Sequence, residues 1–319
     1  MYGWGGSTSD WRGKAKKDYD FGSARAKYDK IAADASGPRV YSRKREPDMD
    51  LVDPRGKKLV SKSKNPIVIG VDVTGSMANW PGEIFDRLPL LYQTLGKYEE
   101  DLEICFAAIG DATSDSYPLQ VNDFGKGAEL EKKLKALGCE GGGGGHITES
   151  YELFGHFMNT RCELPNAKSP FLIIYGDETF YDRIKPKEVK HYIGDSLESP
   201  LESKTMWKEL MTKFNVYHLH KPYDHSDRDD EIKRNWKEAL GDQRVIDLPS
   251  MERSVDVAIG LIAKHWGEYN DFKKSLDARH DDSGVKASVH ASLRHIDTDP
   301  VTTSVVKKSL SRKLSKTLD

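Results

Sequence analysis

The sequence predicts an α/β fold: a doubly wound, mostly parallel sheet with helices on both faces. Three observations predict it. Continuous apolar runs rich in β-branched residues occur at 66–73 (PIVIGVDV), 102–109 (LEICFAAI) and 170–175 (PFLIIY), the pattern of strands buried on both faces. Segments with apolar residues at helical spacing lie between them. Strand and helix patterns alternate through the middle of the chain, as the crossovers between parallel strands require.

After the first strand, Ile84, Leu88, Leu91 and Leu95 recur at helical spacing, and Phe85 and Tyr92 widen the stripe. Residues 102–109 form the second strand, and 117–124 fit a short edge strand. Residues 128–137 (AELEKKLKAL) form an amphipathic helix that Gly138 is placed to stop. A third helix carries Ile147, Tyr151, Phe154 and Met158. Beyond the strand at 170–175, residues 186–193 and 203–214 read as helices, 215–219 as a strand, 231–240 as a helix and 244–248 as a short strand. Val255, Ala258, Ile259, Ile262 and Trp266 mark a final helix.

The chain has 319 residues, a soft prior for about two domains, and a net charge of −2. That figure hides an asymmetry. Residues 1–64 balance to +7, residues 65–282 to −13, and residues 283–319 to +4. The expected organisation is a basic N-terminal extension (1–64) with a helix over 22–35, an acidic folded body (65–282) with an insertion of charged helices at 178–214, and a basic Ser/Thr/Lys-rich tail (283–319). The aromatic residues Tyr2, Trp4, Trp11, Tyr19 and Phe21 set the extension apart from plain disorder. No apolar run approaches the ~18 residues of a membrane span, and the first residues lack the apolar stretch of a secretion signal. Three widely spaced cysteines (Cys105, Cys139, Cys162) form neither a disulfide framework nor a CxxC metal site. The expectation is a cytoplasmic protein with reduced thiols.

In parallel sheets, ligands bind beyond the carboxyl ends of the strands. Asp72-Val73-Thr74-Gly75-Ser76-Met77 follows the first strand, Gly110-Asp111 the second, and Gly176-Asp177-Glu178 the third. A glycine run at 141–145 and then His146-Ile147-Thr148-Glu149 precede the third helix. Oxygen ligands without paired His or Cys suit a hard cation such as Mg²⁺ or Mn²⁺.

The stretch IGVDVTGSM resembles the metal-ion-dependent adhesion site (MIDAS) of von Willebrand factor A domains, in the DxTxS form of intracellular bacterial members. The resemblance covers about residues 65–270. It implies that Ser76 and Thr74 are hydroxyl ligands, that Asp72 is a direct or water-mediated carboxylate, and that Asp177 matches the family's later Asp. Thr148 is the candidate for the family's third-loop Thr, with His146 or Glu149 as alternatives because the glycine loop is unusually long. The implied function is protein binding: the Mg²⁺ grips an Asp or Glu of a partner. Related intracellular proteins work beside AAA+ ATPases of the MoxR kind.

Blander readings stand beside these. Asp72 can cap the following helix, Thr148 can cap the third helix, and Asp111 can be a turn residue. His218, His220 and His225 form the one histidine cluster, but no fourth zinc ligand lies near in sequence. Phosphate-loop and hydrolase motifs are absent. An enzyme using Mg²⁺ ringed by Asp72, Asp111 and Asp177 is the alternative from another class, although no base sits beside Thr74 and Ser76 in sequence. A nucleic-acid-associated factor using the basic flanks is the third reading.

Overall fold

The computed structural model describes residues 46–297, except 144, 146 and 224–226. The helix expected over 22–35, the early aromatic residues, the chain beyond 297, His146 and His225 lie outside the described residues.

Six strands form the main sheet: β1 (Asn65–Asp72), β2 (Leu102–Ile109), β3 (Leu119–Val121), β4 (Phe171–Gly176), β5 (Asn215–His220) and β6 (Val245–Asp247). Their order is β6-β5-β4-β1-β2-β3, and every pairing is parallel except β2 with β3. Every residue of β1 is buried, which is why it reads as an unbroken apolar run. The register sets Asp72 opposite Ile109, Val71 opposite Tyr175 and His220 opposite Gly176, so the carboxyl ends of β1, β4 and β5 lie level.

The main helices are α1 (Trp80–Tyr98), α2 (Glu129–Ala136), α3 (Tyr151–Arg161), α4 (Ser203–Leu210), α5 (Asp227–Leu240), α6 (Ser254–Trp266), α7 (Tyr269–Arg279) and α8 (Ser283–Ser292). Alternate residues of a strand point to opposite faces, and two separate cores result. Ile67, Ile69 and Val71 pack with Ile84, Leu88 and Leu91 of α1 and Ile259 and Ile262 of α6. Val68, Leu172 and Ile174 pack with Phe154 and Phe157 of α3, Trp207 of α4 and Trp236 of α5. No helix among the described residues is long and apolar enough to cross a membrane.

Several expectations change. The packed body runs past both 65 and 282. Val52, in a one-turn helix at Met49–Val52, lies in the first core, and Leu59–Val60 pairs with Cys162–Glu163. On the other side α8 docks through Val289, with Leu293 and Ile296 following it into the same core. Gly260 of α6 makes room for Leu293 and Phe272, since a β-carbon there would overlap both side chains. Leu293→Ala is therefore expected to cost about 2–5 kcal/mol, measured by urea unfolding. A change under about 0.5 kcal/mol, the usual size of a surface substitution, would mean that the segment is not integral.

The 178–214 insertion is less helical than its charge suggests. Thr179–Phe180 pairs with Thr148–Glu149, and Arg183–Ile184 pairs with Leu201–Glu202. The helix expected over 186–193 is three residues (Pro186–Glu188) running into a π-turn (Val189–Ile193), which Gly194 closes at φ +86°. The expected helix over 203–214 ends at Leu210, and the edge strand over 117–124 shortens to β3.

Candidate functional site

The chain builds β2 and β3 on one side of β1, then crosses to build β4, β5 and β6 on the other. A crevice opens where the strand order reverses in this way. Asp72 ends β1 at that point, and Asp177 directly follows β4.

Beyond Asp72 the chain makes a tight turn, Gly75–Met77. The glycine run lies directly against it. Gly75 N–H donates to the Gly142 carbonyl (2.6 Å), and Gly141 N–H donates to the Val73 carbonyl (3.0 Å). Gly141 and Gly143 adopt φ of +70° and +110°, which L side chains resist, and a β-carbon on Gly75 would crowd the Gly142 carbonyl. The glycines thus serve close backbone approach.

A hydrogen-bonded chain joins four of the expected residues. Thr74 donates to Asp72 Oδ1 from both its backbone N–H (2.8 Å) and its hydroxyl (2.6 Å). Ser76 Oγ donates to Asp177 Oδ1 (2.9 Å). The two hydroxyl oxygens lie 3.2 Å apart. Each hydroxyl has one proton, and each proton is drawn to a carboxylate. With both protons directed at the carboxylates, each oxygen keeps lone pairs free for a further contact. Asp72, Thr74 and Asp177 are buried, and Ser76 is the partly exposed member.

Sequence reasoning placed no base beside Thr74, and the structure corrects this: Asp72 Oδ1 is within hydrogen-bond distance of its hydroxyl. Asp72 is nonetheless an anchored acceptor, because the Tyr151 hydroxyl also donates to its Oδ2. Gly176 makes that possible, since a β-carbon at 176 would overlap the Tyr151 hydroxyl.

Acids crowd the site. Burial, and then the charge of Asp177, push the Asp72 carboxyl up to about 8. Burial, with Asp72 and Glu178 nearby, pushes Glu149 up to about 11. Glu178 is raised as well, chiefly by burial. Glu149 Oε2 and Glu178 Oε2 are buried without a hydrogen-bond partner. Such orphaned acceptors are costly unless a proton or a cation meets them.

The structure separates the remaining candidates. Thr148 and Glu149 are neighbours on a short extended pair, so they point to opposite sides. Glu149 Oε1 and Thr74 both lie against Gly143, and the Glu149 carboxyl feels the charge of Asp72. Thr148 engages the Tyr181 hydroxyl and, with Thr179 and Arg234, lines a cavity of about 330 Å³. The third-loop group brought to Asp72 is therefore Glu149. Nor is Thr148 a cap, because Ser150 holds the N-cap position of α3. Asp111 is a turn residue: its carboxylate accepts from Thr113 N–H, Ser114 Oγ and Tyr181 OH.

His218 and His220, two residues apart on β5, share a face and pack as core residues. His218 stacks on Trp236 at 4.2 Å, and His220 Nε2 lies 2.6 Å from Asp229 Oδ1. Among the described residues no group of three or more His, Cys, Asp or Glu side chains is arranged to hold a metal. Hydroxyl oxygens stand outside that count.

Lys221 was missed. Its Nζ donates to Asp177 Oδ2 (2.6 Å) and to the Ser76 carbonyl (2.9 Å). It directly follows β5, so the strand-end rule that found Asp72 and Asp177 would have reached it had it been applied to a fourth strand.

No protein-family model matches the chain, and no curated protein matches it in sequence. Among solved structures it is similar to the pilus adhesin SpaC of Lactobacillus rhamnosus GG, with 14% identity and a TM-score of 0.46 over 66% of this chain and 32% of that one. It is also similar to proximal thread matrix protein 1 of the mussel byssus, with 10% identity and a TM-score of 0.45 over 66% of this chain and 49% of that one. The chain thus spans about a third to a half of the length of these proteins.

Proposed function

We propose that the chain is a von Willebrand factor A-type domain, doubly wound, that binds protein partners through a divalent cation. One observation carries this reading: two hydroxyl oxygens, each within hydrogen-bond distance of a flanking carboxylate, stand 3.2 Å apart. Two oxygens in adjacent octahedral positions about Mg²⁺, each at about 2.05 Å, stand about 2.9 Å apart. The partnerless Glu149 and Glu178 oxygens would supply negative charge once a cation displaced the protons held there. Mg²⁺ or Mn²⁺ would be held by Thr74, Ser76 and Asp177, with Asp72 and Glu149 behind them. The cation would supply a Lewis-acidic position for an outside carboxylate.

The protein's own groups do the rest. Tyr151 and the Thr74 N–H fix Asp72, Asp72 and Asp177 orient the two hydroxyls, and the glycine run closes on the turn. The body from 65 to 282 balances to −13. It repels an acidic partner unless a cation reverses the local sign, so capture should be metal-dependent. The partner class that the resemblance implies is an acid-presenting protein, such as an AAA+ ATPase of the MoxR kind, in the cytoplasm.

The test is pulldown of partners from lysate under Mg²⁺ and under EDTA, with wild type and with Thr74→Ala/Ser76→Ala. A set of proteins should appear only for wild type in Mg²⁺. Undiminished capture under EDTA and by the double variant would overturn the reading.

A further inference from the structure

Lys221 stands on the groups that the proposed cation needs. Its ammonium lies 2.6 Å from Asp177 Oδ2 and 2.9 Å from the Ser76 carbonyl. The other oxygen of Asp177 takes the Ser76 hydroxyl. The lysine side chain is only 16% exposed, and its Nζ sits 5.0 Å from the centre of the Tyr223 ring. Tyr223 in turn donates its hydroxyl to Glu178 Oε1 (3.2 Å). One positive charge of the chain's own is thus built into this acidic cluster, held by a largely buried ion pair and an aromatic face.

We propose that Lys221 is a resident competitor for the metal: its ammonium fills the site's need for positive charge, and a divalent cation must displace it from Asp177 to bind. This rests on the metal reading above. A dication and an ammonium on one carboxylate repel each other, and the repulsion is strong in a partly desolvated site. Two consequences follow. The affinity for a divalent cation is weakened by the cost of breaking the Lys221–Asp177 pair. The site also discriminates by charge. Exchanging an ammonium for Na⁺ or K⁺ trades one charge for one and gains nothing, whereas a dication brings a second charge to the same carboxylate. Lys221 is therefore a specificity-setting residue.

The experiment is calorimetric titration of the full chain with MnCl₂, comparing wild type, Lys221→Met, Lys221→Arg and Asp72→Asn. Lys221→Met keeps the stem and removes the charge, and it should bind Mn²⁺ about tenfold tighter or more. Lys221→Arg keeps the charge and should remain as weak as wild type. Asp72→Asn should bind negligibly. Melting in EDTA checks that each variant is folded, and Lys221→Gln replaces Lys221→Met if the latter is not. Equal affinity of wild type and Lys221→Met overturns the competitor role and leaves the metal reading standing. Weaker binding by Lys221→Met also overturns it, because Lys221 would then support the metal. Absence of binding in every variant overturns both readings.

Discussion

Asp72→Asn is expected to weaken Mg²⁺ or Mn²⁺ binding by at least about 100-fold, while the metal-free fold stays at or above its wild-type stability near neutral pH, because Asn has no proton to give up on unfolding. Loss of an outer partner of a metal ligand alone costs about 10–100-fold, and Asp72 is more than that. It draws the proton from the Thr74 hydroxyl, so it fixes where the lone pairs of that oxygen point. It also supplies charge. Asn keeps an acceptor for Thr74 N–H and Oγ1, and its amide can donate to the Tyr151 oxygen. The neutral side chain costs little in a metal-free site where burial already pushes the Asp72 carboxyl toward its protonated form. Two measurements are compared: the calorimetric affinity and the melting temperature in EDTA. Full affinity in the variant would place the metal elsewhere. A collapse of melting in EDTA would make Asp72 a structural residue and remove its claim to a functional role.

The strand-end residues were legible because burial writes itself into sequence. β1, β2 and β4 are buried on both faces, so their apolar runs announce where each strand stops, and Asp72 and Asp177 follow from those endpoints. The choice between Thr148 and Glu149 was not legible. It depends on which residue faces inward in a two-residue pair whose partner, Thr179–Phe180, lies 31 positions further on. α8 was hidden for a related reason. Val285, Val289, Leu293 and Ile296 carry a helical stripe, but Lys, Ser, Ala and His separate them and read as weak alternation. The stripe acquires meaning only against Gly260, whose missing side chain leaves the space that Leu293 fills. The 178–214 insertion misled in the opposite direction. Its Lys and Glu content favours helix, yet Pro186, Gly194 and Pro200 break the segment into turns and short pairs.

In EDTA the protein is expected to lose stability as pH rises from about 6.5 to about 8, and Mg²⁺ is expected to flatten or invert that slope. Below that range the buried histidines His218, His220 and His265 add stability with rising pH instead. The sign follows from Asp72 and Glu149. Both carboxyls are raised above their unfolded values, Asp72 to about 8 and Glu149 to about 11, first of all by burial. Above the ordinary carboxylate range the unfolded chain gives up these protons while the folded chain keeps them. Raising the pH therefore favours unfolding. The contribution is fully present below about pH 4. The Asp72 share is spent by about pH 8, and the Glu149 share continues to fall beyond it. Asp72 alone carries on the order of several kcal/mol of the effect. A divalent cation needs the same carboxylates without protons. Its binding releases protons, tightens with pH and stabilises the fold by mass action. The check is a series of urea midpoints from pH 4.5 to 8.5 in EDTA and in 10-mM-scale Mg²⁺, roughly the excess over a weak site that mass action requires. Parallel curves would mean that no cation meets these acids. A stability that climbs with pH in EDTA above about pH 6.5 would mean that Asp72 and Glu149 ionise within the metal-free fold.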